Sequence, residues 1–242
     1  MRVVGVIPAR YGSTRLPGKP LKKIGSKTLI DHVYFNAKKA NILDDLIVAT
    51  DHEEIFEEVK KFGGQAKMTS TSHNSGSDRI AEVIKNIDCD YVVNVQGDEP
   101  FIKPSDIDRM VENVISNGCK IGSLACSRIS QDEFNDPNIV KVILDANGYA
   151  IYFSRHSIPY LRDREKIQED EIPALKHIGA YVYTREMLLE FTSMAPSALE
   201  KMEKLEQLRL LEAGYKIYIT KTDHDSPGID TPEDLKLAEG EL

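Results

Sequence analysis

The sequence predicts an α/β protein built on a mixed, mostly parallel central sheet with helices on both faces. Two patterns point there. Apolar runs of strand length at 3–6, 46–49 and 91–95 alternate with stretches whose apolar residues recur at helical spacing, the rhythm of successive βαβ units. These runs also empty into polar turns, and ligands of such sheets sit beyond the carboxyl ends of the strands. The 242 residues, 41% of them hydrophobic, suffice for one domain with a sizeable core.

The first strand ends in IPARYGSTRLPGKPL at 7–21. Gly12 and Gly18 allow that segment to turn, while Pro8, Pro17 and Pro20 limit how far it wanders. Residues 10–30 contain Arg10, Arg15, Lys19, Lys22, Lys23 and Lys27 and no acidic residue, in a chain of formal net charge −8. A purely basic segment in an acidic protein suits an anion, a polyphosphate above all; a solvated loop is the alternative. The segment is not a P-loop, because five residues separate Gly12 from Gly18 and Pro20 follows Lys19. Nor does its spacing supply the dinucleotide fingerprint.

Leu29, Ile30, Val33, Ala37 and Ala40 then mark a helix, and 46–49 a buried strand ending in Thr50-Asp51-His52. A second helix is expected at 53–62 with Ile55, Val59 and Phe62 inward, stopped by Gly63 and Gly64 before a short strand at 65–68. The stretch STSHNSGSD at 70–78 leads into a helix starting near Ser77, with Ser77 as its N-cap and Asp78 in its first turn. Those structural roles explain most of it, although Gly76 and the small hydroxyls would also admit a flat ligand. The central strand at 91–95 ends in Gln96-Gly97-Asp98-Glu99-Pro100, which puts Asp98 at a strand tip as a hard oxygen donor for Mg²⁺. A plain turn before proline is the other reading.

A helix at 105–116 and a strand at 121–125 continue the pattern. Strands at 138–144 and 149–153, joined by Asp145-Ala146-Asn147-Gly148, then read as a hairpin and break the rhythm. Residues 147–186 are therefore the candidate β-rich excursion, with a charged loop at 162–170. Within it Arg155, His177 and Tyr181 are the residue types that a sugar acid would need, with its one carboxylate and many hydroxyls. For His177 a purely structural role stays open. EKMEKLEQLRLLE at 200–212 reads as one amphipathic helix with Met202, Leu205, Leu208 and Leu211 inward. A late strand at 215–220 precedes Gly228-Ile229-Asp230-Thr231-Pro232-Glu233-Asp234-Leu235, where Thr231 caps a helix and Pro232 opens it.

Composition excludes several classes. No apolar stretch nears the length of a membrane span, and the N-terminus enters a strand without a signal-peptide core, so a cytoplasmic location is expected. Cys89, Cys119 and Cys126 fit neither paired disulfides nor a C-x-x-C metal site and read as thiols in a reducing compartment. A pI near 5.3 and the lack of a long basic stripe argue against nucleic acid as partner.

IPARYGSTRLPGKPL, His73-Asn74-Ser75-Gly76-Ser77-Asp78-Arg79, QGDEP and GIDTPEDL together resemble the signatures of the sugar cytidylyltransferases, most closely the branch acting on 3-deoxy-manno-octulosonate (Kdo). The likeness spans nearly the whole chain. It implies a Rossmann-like nucleotide-diphospho-sugar transferase fold, one domain over 1–242, and an excursion at 147–186 serving the acceptor site and a homodimer interface. It also implies that CTP and Kdo give CMP-Kdo and pyrophosphate for lipopolysaccharide biosynthesis, with Mg²⁺ on Asp98 and Asp230. Arg10 and Lys19 join those aspartates as catalytic residues. Pro8, Ala9, Arg10, Ser13, Arg15, Lys19, Ser75, Gly76, Arg79 and Gln96 are implied at the nucleotide, and Gln96, Glu99, Arg155, His177, Tyr181, Glu203 and Gln207 at the sugar. The rival readings are a cytidylyltransferase for 8-amino-Kdo or a sialic acid, another nucleotidylyltransferase for a sugar phosphate, and a non-catalytic nucleotide-binding regulatory module.

Overall fold

The computed structural model describes residues 1–12, 16–73, 75–163 and 171–240. The first strand, β1 (Val3–Ala9), runs into a 3-10 turn at Lys19–Leu21 and a small hairpin of β2 (Lys23–Ile24) and β3 (Lys27–Thr28). Then come α1 (Leu29–Ala37), β4 (Asp45–Thr50), α2 (Glu53–Lys61), β5 (Gln65–Met68), α3 (Gly76–Ile84) and β6 (Tyr91–Asn94). After these come α4 (Pro104–Ser116), β7 (Ile121–Cys126) and the short α5 (Gln131–Asn135). The remainder is β8 (Lys141–Leu144), β9 (Ala150–Ser154), β10 (Leu175–Thr184), α6 (Arg185–Ser193), α7 (Ala198–Glu203), α8 (Gln207–Glu212), β11 (Tyr218–Thr222) and α9 (Pro232–Ala238).

The main sheet has the order β11-β7-β10-β6-β1-β4-β5. Its neighbours are parallel except around β10, which runs antiparallel to both β6 and β7. The expectation of a mixed, mostly parallel sheet is met. Alternation along β1 shows why it has helices on both faces. Val3, Ile7 and Ala9 join a core with Val33 of α1, Val59 of α2 and Val111 of α4, whereas Val4 and Val6 join one with Ile80 of α3, Phe191 of α6 and Leu208 of α8.

The β-rich stretch differs from expectation in one respect. β10 does not leave the sheet: residues 181–184 lie between β6 and β7, while Leu175 and Lys176 pair with β8. The β8–β9 hairpin thus hangs from the entrance of a central strand. A register shift between Ile178 and Tyr181 marks a bulge at that point.

Candidate active site

The basic turn is pinned at both ends. Gly18 has φ 65, a left-handed conformation that favours glycine, and its N–H donates to the Tyr11 carbonyl at 3.2 Å. The Tyr11 ring stacks on His52 with centroids 3.8 Å apart. Asp51 braces the same point, since its carboxylate accepts from the Tyr11 N–H at 3.4 Å and from Arg79 Nη2 at 2.7 Å. Arg79, buried at the start of α3, also donates to the Thr69 hydroxyl at 2.5 Å. Its guanidinium therefore supports the turn from behind.

From that turn Lys19 reaches the carboxyl end of the sheet. Its ammonium donates to Asp98 Oδ2 at 2.6 Å and to Asp230 Oδ1 at 2.9 Å. Burial disfavours the charge, yet the two carboxylates outweigh it and hold Lys19 above its ordinary pKa. Asp98 follows β6 through Gly97, where an added Cβ would lie 2.8 Å from the Pro8 carbonyl, so only glycine lets the turn pass the end of β1. Asp230 is delivered by the neighbouring backbone: the Ile229 N–H donates to the Asp98 carbonyl at 2.9 Å. A capping box at α9 fixes it further, because Asp234 accepts from the N–H groups of Asp230 at 2.9 Å and Thr231 at 2.8 Å.

Two aspartates on one cation suit a hard divalent ion. Among the described residues no group of three or more His, Cys, Asp or Glu side chains could enclose a metal. Mg²⁺ is usually bound by one or two carboxylates plus substrate phosphates and water, so this donor set fits it.

A cleft of about 860 Å³ opens beside these residues, and Glu99, Arg155 and His177 are in its wall. Glu99 is buried and accepts from the Ser226 hydroxyl at 2.7 Å. Burial and the adjacent Asp98 push its pKa up to about 7, against the hydrogen bonds from Ser226 and from the Gly179 N–H at the β10 bulge. His177 is held neutral, its pKa lowered by burial to about 3. Because Ser123 Oγ donates to the Ala180 carbonyl at 2.8 Å, its 2.9 Å contact with His177 Nε2 is one in which the ring N–H donates. Lys141, fully buried, fixes the backbone behind this wall by donating to the carbonyls of Asp136, Ile139 and Arg155 at 2.8, 2.7 and 2.5 Å.

The cleft gathers Pro8, Ala9, Arg10, Lys19, Ser75, Gly76, Arg79, Gln96, Asp98 and Asp230, and with them Glu99, Arg155, His177, Tyr181 and Gln207. Ser13 and Arg15 lie outside the described residues, as does most of the charged loop at 162–170. Three expectations need correction. The N-cap of α3 is Ser75, whose hydroxyl accepts from the Asp78 N–H at 3.1 Å, and not Ser77, which is inside the helix. The helix expected over 200–212 is broken at Lys204, which has φ 55, and Met202 is 83% exposed instead of inward. Glu203, expected at the sugar, does not line the cleft: its carboxylate accepts from the Ser154 hydroxyl at 2.6 Å and the Arg155 N–H at 2.9 Å. Glu206 lines it instead, accepting from Ser77 Oγ at 2.9 Å. Sequence reading marked the turn that holds Asp51 without giving it a role and missed Ser226, because their partners lie far away in the chain.

A family model described as cytidylyltransferase matches residues 4–217. The chain is 46% identical to the 3-deoxy-manno-octulosonate cytidylyltransferase of Trichlorobacter lovleyi, over 98% of this chain and 97% of that one. It is 48% identical to the protein of that name from Fusobacterium nucleatum, over 98% and 95%. The solved CMP:2-keto-3-deoxy-manno-octonic acid synthetase complexed with CTP superposes with a TM-score of 0.92 at 40% identity, covering 99% of this chain and 98% of that one. The 4-diphosphocytidyl-2C-methyl-D-erythritol synthase of Anaerococcus prevotii, at 14% identity and a TM-score of 0.65 over 99% and 95%, shares the fold.

Proposed function

Because this chain belongs to the cytidylyltransferase family, we propose that it couples 3-deoxy-manno-octulosonate to CTP, giving CMP-Kdo and pyrophosphate. The observation that carries the reading is the meeting of Asp98 and Asp230 on Lys19 at the open end of the sheet, in a cleft that Arg10, Arg155, His177 and Tyr181 also line.

In the reaction the anomeric hydroxyl attacks the α-phosphorus. The new oxygen–phosphorus bond forms as the bond to the β-phosphate breaks, pyrophosphate leaves with that electron pair, and the hydroxyl proton is released to water. Such a transfer asks for positioning and charge neutralisation more than for covalent chemistry. Arg10 and Lys19 balance the triphosphate, and Ser75 and Gly76 bring the N-terminus of α3 to the nucleotide side of the cleft. Arg155 meets the sugar carboxylate, while Gln96, Tyr181, Gln207 and the neutral His177 bind its hydroxyls. Mg²⁺ held by Asp98 and Asp230 would neutralise charge developing on the phosphates and lower the pKa of the attacking hydroxyl. No side chain is assigned as general base.

We place the activity in the cytoplasm, supplying activated Kdo for lipopolysaccharide assembly; no helix among the described residues is long and apolar enough to cross a membrane. A homodimer is supported by β9, whose one partner strand among the described residues is β8 and which leaves Ile151 55% exposed at the edge. The deciding assay is pyrophosphate release with CTP, UTP and dTTP crossed against Kdo, 8-amino-Kdo, a sialic acid and hexose 1-phosphates. CTP with Kdo is expected to turn over fastest, and only with Mg²⁺ present. Silence in every pairing, or a preference for a hexose 1-phosphate, overturns the reading.

A further inference from the structure

Lys19 stands where the proposed function puts a divalent cation. Its ammonium is 2.6 Å from Asp98 Oδ2 and 2.9 Å from Asp230 Oδ1, and its side chain is only 14% exposed. Mg²⁺ would take short bonds from the same two carboxylates. The ammonium and the metal cannot both hold them, since two such cations about 4 Å apart repel by about 8 kcal/mol at an effective dielectric constant near 20, counting the double charge of the metal.

Resting on the function above, we propose that Lys19 is the resident counter-ion of the metal site in the nucleotide-free enzyme and that CTP draws it off. The phosphates take over the ammonium, the carboxylates are released, and the divalent ion enters with the nucleotide instead of before it. The surroundings permit that exchange. Lys19 sits on a turn held by its own backbone, with N–H groups of Lys19, Leu21 and Lys22 donating to the carbonyls of Leu16, Gly18 and Lys19. The flexible four-carbon side chain can therefore swing while the turn stays in place. Without phosphates the metal finds no third acidic or imidazole ligand among the described residues, so it competes for two carboxylates that are already neutralised in part. With phosphates the lysine gains a new partner at the moment the metal gains its missing oxygens. Metal and nucleotide thus bind as a coupled pair, and each tightens the other by the same factor.

The experiment uses Mn²⁺ in place of Mg²⁺ and reads free Mn²⁺ by its electron paramagnetic resonance signal, titrated against nucleotide-free protein. Lys19→Met is expected to bind Mn²⁺ about tenfold or more tighter than the wild type, within the ordinary range of coupling. Lys19→Gln, which keeps an uncharged polar chain, is the second variant should the first fail to fold, and the same tightening is expected. Adding Asp98→Asn to either variant should abolish the gain. Equal affinity in wild type and variant overturns the proposal, as does a gain that survives Asp98→Asn. No acceptor or turnover enters this measurement. Failure of every pairing in the pyrophosphate assay would sink the substrate reading without touching it, and equal Mn²⁺ affinities would remove the counter-ion role from an enzyme that still turns over.

Discussion

Glu99 shows how a single buried side chain ties the site to solution conditions. Its carboxyl lies beside Asp98, receives the Ser226 hydroxyl, and titrates near 7 where an ordinary glutamate titrates at 4.5. Between those values the folded protein keeps a proton that the unfolded chain has already released. Stability contributed at this position is therefore greatest below the ordinary value, falls as pH rises through the window, and levels off above about 7. Glu99→Gln removes the titrating group while keeping shape and hydrogen-bonding capacity. In metal-free urea denaturation the wild type should lose up to about 3 kcal/mol more than the variant between about pH 5 and about pH 8. Parallel stability curves for the two proteins would show that Glu99 is ionised in the fold. The proton also matters to the acceptor wall, because a neutral acid beside Asp98 can donate to a sugar hydroxyl where a carboxylate can only accept.

At the level of elements, the break between α7 and α8 decides which glutamate meets the cleft. EKMEKLEQLRLLE contains only residues compatible with a helix, and nothing local announces a stop. The stop is imposed from outside: Glu203 is held by Ser154 and Arg155 at the exit of β9, and Glu206 by Ser77 in α3. Lys204 absorbs the mismatch at φ 55, a conformation that costs a residue with a Cβ about 1–2 kcal/mol. Lys204→Gly should relieve that strain and raise stability by about 0.5–1 kcal/mol in chemical denaturation, after the added freedom of glycine in the unfolded chain is subtracted. A loss of stability of that size would mean that the lysine side chain, not its backbone, holds the break. The helix start at Thr231 was legible in the sequence because a capping box is a local device, and Thr231 and Asp234 form it within one turn. The direction of β10 was not, because nothing local distinguishes a parallel from an antiparallel strand; only its neighbours β6 and β7 settle that.

For the molecule as a whole, the site joins the two ends of the chain. Lys19 contacts an aspartate 79 residues away and another 211 residues away. Each partner was legible at the tip of its own element: Lys19 in the basic turn and Asp98 after β6 from residue type and position, Asp230 before α9 from family likeness. That the two aspartates converge was implied by family likeness; the device that joins them was not legible, since it is one backbone bond, from the Ile229 N–H to the Asp98 carbonyl, that brings the C-terminal segment across the open end of the sheet. Shared geometry makes a kinetic demand. If Asp98 and Asp230 act as a unit on one cation site, either substitution alone disables that site, and the second has little left to remove. Asp98→Asn and Asp230→Asn should each lower kcat/KM for pyrophosphate release by about 10²–10³. The double variant should fall by about the same factor as the worse single one, far short of the product of the two. A four-protein cycle measured at saturating Mg²⁺ checks this directly. Additive losses would show two carboxylates working independently, one at each end of the reacting phosphate chain, and the single shared site would have to be abandoned.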